Sequence, residues 1–391
     1  MSESQHPDRN APRVLHIATF PDGGWDQALA FAAISASQPA RHDLLAIGPI
    51  GTRQALLAMG VKPVRVLTPL LGQLLGRGTL ASSAVRAFLR DRPGAQYALI
   101  HAWSIDAADL ARRALGKLRT PVLCTPVRGP RAQADLAAVV DATLAPLAHA
   151  WSLQGNTPSA IPLPGLPIGF EQAFAQARSR LRNELEISPD ELCVLLLADP
   201  PAEASARTFA SQVGVMRLAD LAAVGLLPAG VGEARRGARH TARHDYVWDL
   251  IHARWPAQAL LPAADILVWP RLALHPDAGL GADARAGGVL SAHHAALCGI
   301  PIVAHDALAE RLVAGAGGTL TRDWTLPIVA GALVGLTGHS DQGQTKLARA
   351  GVALRSAALA NSGDFAGCVG RMHSAAMSGQ REARPTADVL V

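Results

Sequence analysis

The chain has 391 residues, of which 49% are hydrophobic and 17% charged, enough for two domains with cores of their own. Its formal charge of +5 and sequence pI near 9.4 suit phosphate-bearing ligands or an anionic membrane surface, or are a mild surface excess spread over a large chain. Only 4% of residues are aromatic, and no basic–aromatic interleaving occurs, which argues against nucleic acid.

The first strand is expected at Val14–Ala18, followed by the turn Phe20-Pro21-Asp22-Gly23-Gly24 and a helix over WDQALAFAAISAS. His42–Gly48 reads as a strand, GTRQALLAMG as a helix and VRVL as a short strand. SSAVRAFLRDR is an amphipathic helix, YALIHAW (97–103) a strand, IDAADLARRALGK a helix and TPVLCTP a strand. Strands that are continuous apolar runs, alternating with helices at short spacing, predict a parallel sheet covered on both faces. The segment SAIPLPGLPIG (159–169) holds four prolines and two glycines and reads as a hinge.

A second series follows. FEQAFAQARSRLRNELEI is a helix, ELCVLLLADP (191–200) a strand and ASARTFASQVGVM a helix. GVGEARRGARHTARHD (230–245) is a basic surface segment, and Ile266–Trp269 is a strand entered through Ala263-Ala264-Asp265. A long loop, RLALHPDAGLGADARAGG, leads through Gly287-Gly288 into a helix over 289–298 and the buried strand IPIVA. Two late helices precede a frayed end. The expected fold class is α/β, with two Rossmann-like parallel-sheet domains. The expected boundaries are a tail at 1–12, an N-terminal domain at 13–165, a C-terminal domain at 170–355, a helix at 356–378 crossing back, and a tail at 379–391.

In the second half, AADILVWP, GGVLSAHHAALCGIPIVAHD and ERLVAGAGGTL resemble the C-terminal domain of family-4-like glycosyltransferases of the GT-B fold. The first half is similar too: Gly23-Gly24 matches the family's Gly-Gly turn, and His101-Ala102-Trp103 its strand entering a His-containing turn. The likeness covers about residues 13–378. It implies two Rossmann-like domains facing each other across a cleft, and transfer of a sugar from a nucleotide diphosphate sugar with retention of configuration. The implied acceptor is a hydroxyl of a saccharide or a lipid-linked molecule.

Departures from the family pattern bear on activity. Two glutamates eight positions apart are replaced by Ala286 and His294. Alanine has no side-chain acceptor, and histidine lacks the paired acceptors of a carboxylate. Asp199 stands near the place of a phosphate-binding Arg, and Arg207 is the nearest later cation.

Candidate donor-binding residues are therefore Gly287, Gly288, His294, Arg207, Arg271 and Glu310. Glycine N–H groups ahead of a helix N-terminus can cradle phosphate, although Gly287-Gly288 reads equally as a plain loop-to-helix turn. Arg207 and Arg271 suit bidentate phosphate contacts or are solvated charges. On the acceptor side the candidates are Gly23, Gly24, His101 and Arg128. His101 is placed at a strand end, where α/β folds bind ligands, or is a satisfied core histidine. Neither metal nor cofactor is expected. CxxC is absent among the four cysteines, and the neighbours His293 and His294 would face different directions on a helix. The chain lacks an apolar run of the ~20 residues that span a bilayer, and the polar start has no apolar signal core. A cytoplasmic location follows as an expectation, with peripheral contact at the inner face of the membrane compatible with the basic charge. Two further readings stand beside the transferase: a GT-B-fold binding or scaffold protein without catalysis, and an unrelated doubly wound enzyme such as an epimerase.

Overall fold

The computed structural model describes residues 11–20, 25–38, 40–68, 79–91, 97–116, 120–124, 142–143, 163–164, 170–197, 203–228, 250–269, 289–304, 319–320, 326–337, 341–360 and 362–378. The chain divides into two compact units, Met1–Pro164 with Gly363–Val391, and Gly165–Ser362. The first passage between units falls inside the proline-rich segment. The second follows the long helix Asp341–Ala360.

The first unit holds strands β1 (Arg13–Thr19), β2 (Arg41–Ile47), β3 (Arg65–Leu67), β4 (Leu99–Ala102), β5 (Val122–Cys124) and β6 (Ala142–Thr143). They form one sheet in the order β3-β2-β1-β4-β5-β6, with parallel neighbours throughout. Helices α1 (Asp26–Ser37), α2 (Thr52–Ala58), α3 (Thr79–Arg90) and α4 (Ile105–Leu115) connect the strands. Side chains alternate across a strand, so Leu15, Ile17, Leu45 and Ile47 face one way. They bury themselves against Val85 and Phe88 of α3 and Ala107, Ala108 and Ala111 of α4. The opposite face carries His16, which meets Phe31 of α1 edge-on.

The second unit repeats the plan. After α5 (Phe170–Glu184) come β7 (Leu192–Leu196), α6 (Glu203–Leu218), β8 (Ala223–Leu227), β9 (Leu250–His252), α7 (Ala257–Leu260), β10 (Ile266–Trp269), α8 (Val289–Leu297), β11 (Ile302–Ala304), β12 (Thr319–Leu320), α9 (Leu326–Thr337) and α10 (Asp341–Ala360). The sheet order is β9-β8-β7-β10-β11-β12, again parallel. Val194, Leu196, Val268 and Val303 pack on Phe209 and Val213 of α6 and Val329 and Leu333 of α9. The final helix, α11 (Phe365–Ser378), belongs to the first unit.

The end of the second sheet at which its central strands β7 and β10 begin is closed by a charged clamp. Asp265, just before β10, accepts from Arg178 Nη2, from Arg182 Nη1 at 2.9 Å and from the Cys193 backbone N–H at 2.7 Å. Both arginines lie on one face of α5, four residues apart. Arg178 also donates to Pro262 O at 3.1 Å and Ala264 O at 2.8 Å. Arg182 donates to Ser188 O and Glu191 O, both at 2.7 Å. Among the described residues, no helix is long and apolar enough to cross a membrane.

Candidate functional site

A parallel sheet ordered 3-2-1-4-5-6 reverses its winding between the first and fourth strands. A crevice opens beyond their C-terminal ends, because the connections leave to opposite faces. In the first unit these ends carry hydroxyls. Thr19, the last residue of β1, lies 2.9 Å from the Ser104 hydroxyl that follows β4. Ser104 Oγ also accepts from Ala107 N at 3.1 Å, capping α4. Gln27 of α1 is wholly buried and donates to Thr19 O at 3.1 Å. The neighbouring Phe20 and Trp25 rings stack at 4.8 Å. The crevice floor is thus polar and held in place by side-chain bonds. Gly23 and Gly24, expected between these groups, lie outside the described residues, as does Arg128.

Of the two readings of His101, a ligand-facing strand end or a satisfied core histidine, the second holds: the residue is wholly buried, shares a ring bond of 3.0 Å with His373 of α11 and stacks on Trp103 at 4.2 Å. The reason is the strand's alternation. Ile100 and Ala102 take the α3/α4 core, so His101 turns to the other, covered face.

In the second unit the equivalent ends are Leu196 of β7 and Trp269 of β10. Helix α8, the next helix after β10, carries Ser291, His293 and His294. Ser291 Oγ accepts from buried Gln258 Nε2 at 2.8 Å. His293 is fully buried, and its Nε2 lies 3.3 Å from Ser362 Oγ, so it is a packing residue. His294, one step round the helix, is half-buried. Burial pushes its pKa down to about 4, so it is a neutral imidazole at physiological pH. Arg207 lies in α6. Arg271, Gly287, Gly288 and Glu310 lie outside the described residues, as do Asp199, Ala286 and the expected end at 379–391.

The lowered pKa of His294 makes folding stability depend on pH. An unfolded histidine titrates near 6.5, so between 6.5 and about 4 the unfolded chain takes a proton that the folded chain refuses. The stabilisation is whole above pH 6.5 and is lost as the pH falls through that window. After discounting for the surface His294 keeps, the loss is about 2 kcal/mol. Denaturant titrations of wild type and His294→Gln at pH 7.5 and 4.5 measure it. The wild type should lose that much more than the variant, and equal losses would refute the assignment.

Comparisons with known proteins bear on the whole chain. No protein-family model matches it, and no curated protein matches it. Solved structures do. That of HepE from Anabaena, in complex with UDP and glucose, aligns with TM-score 0.57 and 17% identity over 93% of this chain and all of that one. Sucrose-phosphate synthase from Thermosynechococcus elongatus aligns with TM-score 0.59 and 14% identity over 94% of this chain and all of that one. UDP-GlcNAc 2-epimerase from Neisseria meningitidis, bound to UDP-GlcNAc, aligns with TM-score 0.51 and 10% identity over 93% of this chain and 99% of that one. At such identities the likeness is one of fold. This chain has the α/β fold of two Rossmann-like units that GT-B glycosyltransferases and these epimerases share.

Proposed function

We propose that the chain is a glycosyltransferase-type protein that takes a sugar from a nucleoside diphosphate and passes it, with retention, to a hydroxyl of a saccharide or lipid-linked acceptor. The observation that carries this reading is the doubled 3-2-1-4-5-6 sheet, matched along nearly the whole chain by structures holding UDP with glucose, or UDP-GlcNAc. In this reading Gly287 and Gly288 lie ahead of the N-terminus of α8, where backbone N–H groups and the helix dipole attract a diphosphate. Arg207 and Arg271 neutralise it, His294 holds a ribose hydroxyl, and Glu310 adds a donor contact. Gly23, Gly24 and Arg128 serve the acceptor side. Stabilisation of the leaving diphosphate by these fixed groups is the main catalytic term, and the transfer itself calls for no metal. The resemblance to family-4-like enzymes is part of this proposal, as is work in the cytoplasm at the inner face of a membrane.

Residue 294 favours a second reading, in which the fold binds a nucleotide without transfer. A neutral imidazole offers one donor and one acceptor where the related pattern has a carboxylate, and Ala286 offers no side-chain acceptor.

Calorimetric titration with UDP, ADP and GDP, followed by assay of sugar release from the matching sugar nucleotides, separates the readings. Binding with release supports the transferase, and binding without release the second reading. No binding by any of the three overturns both. His294→Ala should weaken the binding about fivefold, the worth of one hydrogen bond. An unchanged affinity removes His294 from the site.

A further inference from the structure

The first unit contains a cluster that sugar transfer does not use. His16 of β1, His42 of β2, His101 of β4 and His373 of α11 crowd between the sheet and its covering helices. His16 and His101 are register partners on adjacent strands, so their rings lie side by side, with centroids 5.1 Å apart. The His373 ring is 5.0 Å from His101 and 5.7 Å from His16. These three residues are 2% exposed or less. A ring nitrogen from each lies within 4.8 Å of one from each of the others.

Trp103 Nε1–H donates to His16 Nδ1 at 3.2 Å, so the His16 proton sits on Nε2, which lies 2.8 Å from His42 Nδ1. His42 accepts that bond, and its Nε2 then carries a proton that finds no partner among the described residues. On the other side, His101 Nδ1 and His373 Nε2 share one proton at 3.0 Å. Buried His373 Nδ1 has no partner among the described residues. Two ring nitrogens are therefore orphaned inside this cluster, each costing about 1–3 kcal/mol. For packing alone, leucine or phenylalanine would avoid that cost.

We propose that His16, His101 and His373 bind one late first-row divalent ion, Zn²⁺ in the first instance, tying α11 to strands β1 and β4. Imidazole nitrogen is the ligand such ions favour, and three histidines with a fourth place for water or an anion make a known tetrahedral set. At Zn–N distances of about 2.0–2.1 Å the nitrogens stand about 3.4 Å apart. The His101–His373 pair, at 3.0 Å, is already near that spacing, and the remaining separations, within 4.8 Å, are to close on binding. Metal ligation needs neutral rings, and these are neutral. Burial first, and then mutual repulsion, holds His16 and His101 well below the ordinary range, and burial brings His373 to about 3. Each ring gives one lone pair, so binding releases no proton. Asp43 lies beside His42 and acts on it as a counter-charge. It already bonds Arg13 and Tyr97 Oη, the latter at 2.9 Å.

A specific spectroscopic consequence follows. The Trp103 indole holds the single lone pair of His16. Whichever nitrogen of that ring turns to the ion, the indole bond is lost. The emission of Trp103 must therefore change on binding, and the change must vanish in Trp103→Phe.

The test uses the full tag-free chain, stripped with a chelator. Zn²⁺ should bind with one tight equivalent per chain and raise Tm. X-ray absorption of that 1:1 complex should show three imidazoles at about 2.0 Å. His373→Gln should weaken binding more than about 100-fold, and His252→Gln, at the exposed last residue of β9, should leave it unchanged. A wild-type shell with fewer than three imidazoles, an absence of saturable binding, or unchanged affinity in a folded His373→Gln overturns the proposal. Should His373→Gln fail to fold, the wild-type absorption spectrum and the Trp103→Phe comparison decide alone.

Discussion

Asp265→Ala should cost the second unit about 3–5 kcal/mol, the loss expected when one member of a buried charged set is removed. The side chain joins three pieces of structure. Its two oxygens take Arg178 and Arg182 from α5 and the backbone N–H of Cys193 at the start of β7. Alanine removes every one of these acceptors. Arg182, 8% exposed, keeps its bonds to carbonyls but loses its counter-charge. A buried guanidinium without a carboxylate is the costly species, more so than the missing bond. The Cys193 N–H loses its acceptor as well. Denaturant unfolding followed by circular dichroism measures the change, and a loss below about 1 kcal/mol would rule out the clamp. Combining Asp265→Ala with Arg182→Met separates the causes. If the stranded charge dominates, the double variant is more stable than Asp265→Ala, because the cation leaves with its partner.

The two parallel sheets are readable in the sequence because their strands are buried on both faces. LLAIG, VLLLA and IPIVA are uninterrupted apolar runs separated by helix-length segments, and that pattern admits few arrangements. The second run of such strands also marks a second unit, with a proline-rich break between them. Pairing across distance is not legible in the same way. Asp265 is visible as the residue before a strand, and Arg178 and Arg182 as a four-residue repeat on a helix. Nothing local says that they meet. The histidines show the same limit more sharply. Alternation alone puts Leu15 and Ile17 on the face opposite His16, and Ile100 and Ala102 opposite His101. Only the register of β1 against β4 brings the two rings together, and only the return of α11 adds His373 from 272 residues away. The sequence alone therefore leaves His101 open between a ligand-facing and a core histidine, and its partners prove internal. The candidate phosphate contacts are glycines and arginines, most of them in connecting segments. There, residue type points to chemistry but carries no periodicity to fix where the side chain goes.

Gly351→Ala should be the most damaging glycine-to-alanine change among the described glycines of the second unit, costing about 3 kcal/mol. Helix α10 crosses the end of α8 with backbone against backbone. A Cβ on Gly351 would sit 2.2 Å from Gly299 O and 3.2 Å from Gly299 C. A side chain in the way could rotate aside, whereas a carbonyl can move only with its chain. That chain is tightly held. Gly299 takes φ of +74°, the left-handed turn that ends α8, and its N–H donates to Ala296 O at 2.9 Å. Ile300 N–H donates to Ala295 O at 3.0 Å. Relief therefore requires α10 to lift or the end of α8 to shift, and α8 carries His294. If α8 holds a nucleotide as proposed, the variant should lose affinity as well as stability. Asp265→Ala, by contrast, acts through α5 and the start of β7, which carry none of the proposed nucleotide contacts, and should spare affinity in the molecules that remain folded. Gly331→Ala is the control. It lies in α9, and a methyl group there would meet nothing within 4 Å among the described residues, so helix propensity should stabilise it by up to about 1 kcal/mol. Thermal melts of the two variants should move in opposite directions. A Gly351→Ala melt at or above wild type would mean that the two backbones do not meet as closely as their positions require.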